Sequence, residues 1–174
     1  MTETLTNAPT LTTERLILRG ACREDLGAFT QFVTTNPHMA EQDELGSADD
    51  AWFAFLAGVG HWHWRGYGFF VLQTHDDPTP LGRVGPLFHA GWEAPELAWH
   101  LYEGSTGKGF ATEAAICIRD WAAQAHGLTQ LVSYIHHGNA RSQAVATRLG
   151  ATNSAKRADH NADCEVWRHP EIAA

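Results

Sequence analysis

Residues 103–114, Glu-Gly-Ser-Thr-Gly-Lys-Gly-Phe-Ala-Thr-Glu-Ala, place Gly104, Gly107 and Gly109 directly ahead of a helical pattern. Glycine lets a backbone amide approach a ligand closely, and the first amides of a helix have no intrahelical partner. Such a turn suits a phosphate, and Lys108 adds positive charge. A nucleoside-triphosphate loop would need Ser or Thr after Gly107-Lys108 and a glycine where Tyr102 stands; Gly109 and Tyr102 fail both requirements. A dinucleotide fingerprint would need a glycine where Thr112 stands and a carboxylate closing the next strand, which ends instead in His136-His137. The reading that survives is a pyrophosphate, as in coenzyme A, held by successive amides, with Gly107 and Gly109 admitting it and Ala111 and Thr112 allowing close packing.

Other reactive types are scattered. His61 and His63 alternate with Trp62 and Trp64, but positions i and i+2 diverge on a helix, so no metal site is expected. Cys22, Cys117 and Cys164 are odd in number and far apart, which argues for a reducing compartment without a disulfide framework or zinc cluster. Cys117 falls in mid-helix and Cys164 in the last hairpin, so neither stands in a nucleophile's context.

The elements that would position these groups follow from periodicity. Residues 13–20 read as a strand, and Leu26, Phe29 and Val33 form a helical stripe over 23–35, stopped by Asn36-Pro37. A polar, acidic loop (38–46) leads to Ser47, an N-cap for a helix running to about Arg65, with Asp49 and Asp50 in its first turn. Strands are expected at 67–74, 81–90 and 95–103. After the glycine turn, a helix from about Lys108 to His126 carries a stripe of small residues and closes at Gly127. A strand at 130–137 lies parallel to 95–103 because a crossover helix joins them. Asn139 caps a short helix closed by Gly150, and the remainder reads as a hairpin. Residues 1–10, rich in Thr, read as a loose tail, and 11–174 as one domain.

Composition bounds the rest. With 44% hydrophobic and 18% charged residues, the chain is globular rather than disordered. Twelve Lys and Arg against 20 Asp and Glu give a net charge of −8, which argues against nucleic acid as a partner and mildly for cationic ones. The N-terminus lacks the basic and apolar regions of a signal peptide, and no apolar run approaches the ~20 residues of a membrane span, so a cytoplasmic protein with no membrane partner is expected.

The ordered series "TERLILR", "HWHWRGYGFFVL", "LGRVG", "ELAW", "GKGFATEA" and "NARSQAVATRLGA" resembles the GCN5-related N-acetyltransferase (GNAT) superfamily, and within it the RimJ/RimL-type branch, which acetylates protein N-terminal amines and assorted small amines. The match runs from about residue 11 to 169. It implies an α/β (α+β) fold whose mixed sheet splays between the fourth strand (95–103) and the fifth (130–137), flanked by about four helices, with acetyl-CoA in the opening. Its pantetheine would follow the fourth strand, and its pyrophosphate would meet Thr106, Gly107, Lys108, Gly109, Phe110, Ala111 and Thr112. Backbone amides near Trp99, His100 and Leu101, freed where that strand bulges, would stabilise the oxyanion. Asn139 would contact the pantetheine arm as well as cap its helix. The chain departs from the pattern at Gly104 (Gln or Arg), Thr106 (an aromatic) and Ala98 (Gly), none of which removes a backbone donor.

The resemblance also proposes chemistry. Glu96, at the carboxylate of the branch's Glu-x-Gly-Trp, is the first candidate for the base; the alternative is an edge-strand Glu on a solvated face, with Glu93 and His100 as weaker bases. Ser142, in "NARS", is the candidate that protonates or hydrogen-bonds the leaving thiolate; the alternative is a first-turn Ser satisfying backbone. Tyr134 reads as packing. The acceptor groove would involve 38–46, with Glu41, Asp43 and Glu44 either attracting a cationic amine or forming a solvated loop, together with 61–64 and 156–162. The function expected is direct transfer of an acetyl group from acetyl-CoA to a primary amine, of a protein N-terminus or a small molecule, without metal; a homodimer is compatible with it. The alternatives are a catalytically idle acyl-CoA-binding module and, disfavoured by the missing ribose carboxylate, a nucleotide-dependent oxidoreductase.

Overall fold

A computed structural model describes residues 3–41 and 44–173. In chain order the elements are β1 (Leu11–Thr12), β2 (Leu16–Arg19), α1 (Asp25–Thr35), α2 (Pro37–Glu41), α3 (Ala48–Arg65), β3 (Phe70–Thr74), β4 (Gly82–Leu87), β5 (Glu96–Leu101), α4 (Phe110–His126), β6 (Val132–His136), α5 (Ala140–Arg148), β7 (Thr152–Ala158) and β8 (Asn161–Arg168). The strands form one sheet in the order β1-β2-β3-β4-β5-β6-β8-β7. Every neighbouring pair is antiparallel except β5 and β6, the two that α4 joins. This is the mixed, helix-flanked sheet expected from the sequence.

Alternation along the strands sorts the core into two layers. Leu16, Leu18, Phe70, Leu72, Val84 and Leu97 face α4, which answers with Phe110, Ala114, Ala115 and Ile118. Ala114, Ala115, Ala122 and Ala123 are fully buried, so the small stripe lets α4 lie close to the sheet. On the other face, Phe29 and Val33 of α1 pack with Ala51 and Phe55 of α3 and with Tyr102. The start of α3 is fixed by a capping box: Ser47 Oγ accepts from the Asp50 amide at 3.1 Å, and the Asp50 carboxylate accepts from the Ser47 amide at 2.8 Å.

The sheet opens at β5 and β6, which share a single pairing, Glu96 with Val132. At the next position a side chain replaces the ladder: Ser133 Oγ donates to the Leu97 carbonyl (2.6 Å) and, its one proton so used, accepts a hydrogen bond from His169 Nε2 (2.9 Å). Beyond that hydroxyl the strands separate.

Three expectations are corrected. The strand over 95–103 does not bulge: β4 and β5 keep an unshifted register from Gly82–Leu101 to Leu87–Glu96, so divergence of β6 is what frees backbone groups. Residues 37–41 are not loop. Asn36 and Pro37 end α1 and also start α2, because the Asn36 carboxamide accepts from the amides of His38 and Met39 and proline suits a first helical position. The N-terminal residues are not a loose tail over their described length. Thr4 bridges Cys22, the Leu5 amide donates to the Ala21 carbonyl at 2.7 Å, and Thr6 is buried over Gly20 where a side chain would collide with its hydroxyl.

Candidate active site

The opening forms a cleft of about 1270 Å³, bounded by β5 and the start of α4 on one side and by β6 and α5 on the other. At its α4 end, Gly107 (φ 76°) and Gly109 (φ 81°) adopt the left-handed conformation that other residues enter at a cost. Gly109 is the N-cap of α4 and offers no side-chain cap, so among the described residues no side chain caps the first amides of that helix, and Phe110, Ala111 and Thr112, which carry them, line the cleft. The Thr112 hydroxyl is buried there without a hydrogen-bond partner. An uncapped helix start, an orphaned hydroxyl and a glycine backbone together fit an anionic pyrophosphate. Lys108, expected beside it, does not line the cleft; its carbonyl accepts from Arg15 Nη1 at 2.9 Å.

Arg15 and Glu113 complete this end and were not singled out in the sequence. Arg15 pairs with the Glu113 carboxylate at 2.6 Å and lies over the Phe110 ring at 4.9 Å, while Thr13 Oγ1 donates to the same carboxylate at 2.6 Å. The network ties the glycine turn to the β1–β2 loop. It joins residues about a hundred positions apart, so no local pattern could have signalled it.

Along β5, backbone and side chains divide by alternation. The Leu97 carbonyl meets Ser133 of β6, so the backbone groups of Leu97, Trp99 and Leu101 face β6 and, where it diverges, the cleft. Those of His100 face β4, whose Gly82 lies against the His100 carbonyl. The expected backbone donors thus reduce to Trp99 and Leu101. His100 lines the cleft with its ring instead, stacked on Phe32 (5.3 Å between centroids).

His100 is a poor base in this setting. Burial, with the Arg83 charge beside it, holds its pKa well below the usual imidazole range. Arg83 Nε donates to its Nδ1 at 2.9 Å, which leaves the proton on Nε2. Glu93, the other alternative, is absent from the cleft wall and lies 3.7 Å from His160.

Glu96 is buried, 8% exposed, rather than on a solvated face. Loss of water raises its pKa to about 8, against the opposing effect of the Tyr134 amide, which donates to Oε1 at 3.3 Å. A carboxyl poised near neutrality in a cleft is what a general base requires. On the facing wall, the Asn139 carboxamide caps α5 by accepting the Ser142 amide at 3.0 Å, and Ser142 Oγ accepts the indole N–H of Trp99 at 3.3 Å. Every cofactor-binding candidate except Lys108 lines this one cleft, together with Glu96 and Ser142.

The acceptor side differs from expectation. Phe32, Asn36, His38, Met39 and Glu44 line the cleft, whereas none of residues 61–64 or 156–162 does. Trp62 is buried in the core and Trp64 is exposed. Glu41 is exposed outside the lining, and Asp43 falls outside the described residues. Cys164 reaches the wall, but burial pushes its thiol up to about 11, so it is not a thiolate nucleophile at neutral pH. No group of three or more metal-ligating side chains occurs among the described residues, and no helix there is long and apolar enough to cross a membrane.

The sequence matches the acetyltransferase (GNAT) domain family over residues 15–152. Among solved structures, an acetyltransferase from Agrobacterium tumefaciens is 33% identical, with 95% of this chain and 96% of that chain covered and a TM-score of 0.86. RimL, a ribosomal L7/L12 α-N-protein acetyltransferase in complex with coenzyme A, shares the fold at 19% identity (95% and 98% covered, TM-score 0.68). So does a ribosomal-protein-S5-alanine acetyltransferase from Vibrio fischeri, at 16% identity (94% and 97% covered, TM-score 0.68). No curated protein matches the sequence significantly. The family match over most of the chain and the 33% identical acetyltransferase show that the chain is a member of the GNAT family of N-acetyltransferases.

Proposed function

We propose that the protein transfers the acetyl group of acetyl-CoA directly to a primary amine, with Glu96 as base and Ser142 as donor to the leaving sulfur. The observation that carries this reading is one continuous cleft with an anion-binding helix start at one end and a carboxyl of pKa about 8 in its wall. At about 1270 Å³ it exceeds the ~300–1,000 Å³ common for single-ligand pockets, leaving room for donor and acceptor together. Acetyl-CoA supplies a thioester whose carbonyl carbon accepts the amine.

Each residue has a task set by its place. The first amides of α4 and the Thr112 hydroxyl hold the pyrophosphate, with Arg15 and Glu113 keeping the turn in shape. Trp99 and Leu101 offer backbone amides to the carbonyl oxygen as it gains charge. The Glu96 carboxylate takes a proton from the incoming ammonium, the amine nitrogen bonds to the carbonyl carbon, and the carbon–sulfur bond breaks. As the amide forms, the nitrogen loses its second proton, which ends on the departing sulfur. Ser142 either relays it, giving its hydroxyl proton to the sulfur and regaining one from the nitrogen, or holds the thiolate by a hydrogen bond. An idle binding module would gain nothing from a buried carboxyl held near pH 8.

The acceptor is an amine, with Glu44 and Glu96 on its side of the cleft. Structural relatives named for ribosomal-protein N-termini make such a peptide terminus one class to try, and small amines the other. Incubation with acetyl-CoA and a panel of both, followed by free-thiol release and product mass, tests the reading. Thiol release matched by an acetylated amine is expected; thiol release without it, or acetylated protein in its place, would refute direct transfer.

A further inference from the structure

Ser142 stands in the first turn of α5, where the residue four positions back, Gly138, lies outside the helix. Thr34, Thr35 and Thr147 each donate to the carbonyl four residues earlier, at 2.9, 2.8 and 2.8 Å. Ser142 does not: among the described residues no acceptor takes its proton, and its oxygen instead receives the Trp99 indole N–H at 3.3 Å. A hydroxyl has one proton and two lone pairs, and an indole N–H can only donate. Trp99 thus occupies one lone pair of Ser142 and leaves the proton uncommitted, on a side chain that lines the cleft.

The indole is well held for this purpose. Trp99 extends from β5 beneath α5 and packs with Ile135, Ala146 and Ala151, and its ring stands edge-on to His169 at 6.4 Å. The Asn139 cap fixes the Ser142 backbone from the other side. Strand and helix are thereby joined through the one hydroxyl between them.

We propose that Trp99 is a positioning residue: its indole N–H orients the Ser142 hydroxyl so that its proton points at the leaving sulfur. Accepting a hydrogen bond also polarises the hydroxyl and strengthens it as a donor. The inference rests on the reading of Ser142 as donor to the sulfur and adds the group that makes it one. It gives the Trp99 side chain a task separate from that of its backbone amide.

The test is a double-mutant cycle of Trp99→Phe, Ser142→Ala and the pair, read as the single-turnover rate of acetyl transfer and the KM for acetyl-CoA. W99F keeps the aromatic ring and removes the N–H; a retained thermal shift with acetyl-CoA shows that the cleft is intact. The expected result is a roughly 3- to 10-fold slower transfer for W99F, the scale of one hydrogen bond, with KM changed by less than about twofold. In the S142A background W99F should then have no further effect. Equal slowing in both backgrounds, or none in the wild type while S142A is slow, would overturn the positioning role and leave the Ser142 reading standing. An S142A rate equal to wild type would remove the Ser142 reading and this inference with it.

Discussion

Glu96 carries its proton further into the neutral range than an exposed carboxyl because the sheet and cleft walls exclude water from it. With a pKa of about 8, only about one molecule in ten holds the carboxylate at pH 7. The transfer rate should therefore climb about tenfold per pH unit below 8 and level above it, and Glu96→Gln should abolish that rise while slowing transfer by roughly 10²- to 10⁴-fold. A pH–rate profile of both proteins checks this. Stability runs the opposite way. The folded protein keeps this proton up to about 8 whereas the unfolded chain loses it near 4.5, so the folded state binds more protons between those values and loses stability as pH rises through them. E96Q should raise the unfolding temperature at pH 8 and above, by an effect on the order of a few kcal/mol, and leave it nearly unchanged near pH 4. At this scale the sequence supplied the position of Glu96, through its motif, but not its burial, which depends on β4 and β6 closing around it. The exclusion of His100 as base was equally out of reach, because its tautomer is set by Arg83 on the neighbouring strand.

Elements fix how well the turn and the α4 helix serve the cleft. Replacing Glu113 by Ala frees Arg15 and loosens the Gly107–Gly109 turn, so the KM for acetyl-CoA should rise severalfold with little change in the transfer rate at saturation. Steady-state kinetics separate the two. The buried alanine stripe of α4 has no spare room, and Ala115→Leu should destabilise the fold by about 1–3 kcal/mol, read by chemical denaturation. Local structure was largely legible: Ser47, Asn139 and Gly127 mark helix ends where the caps are found. The failures have physical causes. Asn36-Pro37 stops one helix with the same two residues that begin another, so the acidic loop is shorter than the sequence suggests. The resemblance implies a groove at 61–64, yet helical geometry turns Trp62 into the core and Trp64 to solvent.

At the scale of the molecule, the proposed function rests on a parting of the sheet. Two strands that pair at one position and then part leave a cleft between α4 and α5. Nothing in the periodicity of 95–103 or 130–137 announces that parting. It was anticipated only through the ordered motifs, and its local agent, the Ser133 hydroxyl on the Leu97 carbonyl, was not. We propose that this opening is an acetyl-CoA site. Thermal unfolding of the wild-type protein with acetyl-CoA, with NAD and with ATP tests it most directly. At a hundredfold excess over Kd, binding to the native state alone adds about 2.7 kcal/mol, a rise of roughly 5–10 °C for a chain of this length. That rise is expected with acetyl-CoA and not with the two nucleotides. Folded protein whose unfolding temperature is unmoved by acetyl-CoA, or moved equally by NAD, would contradict it.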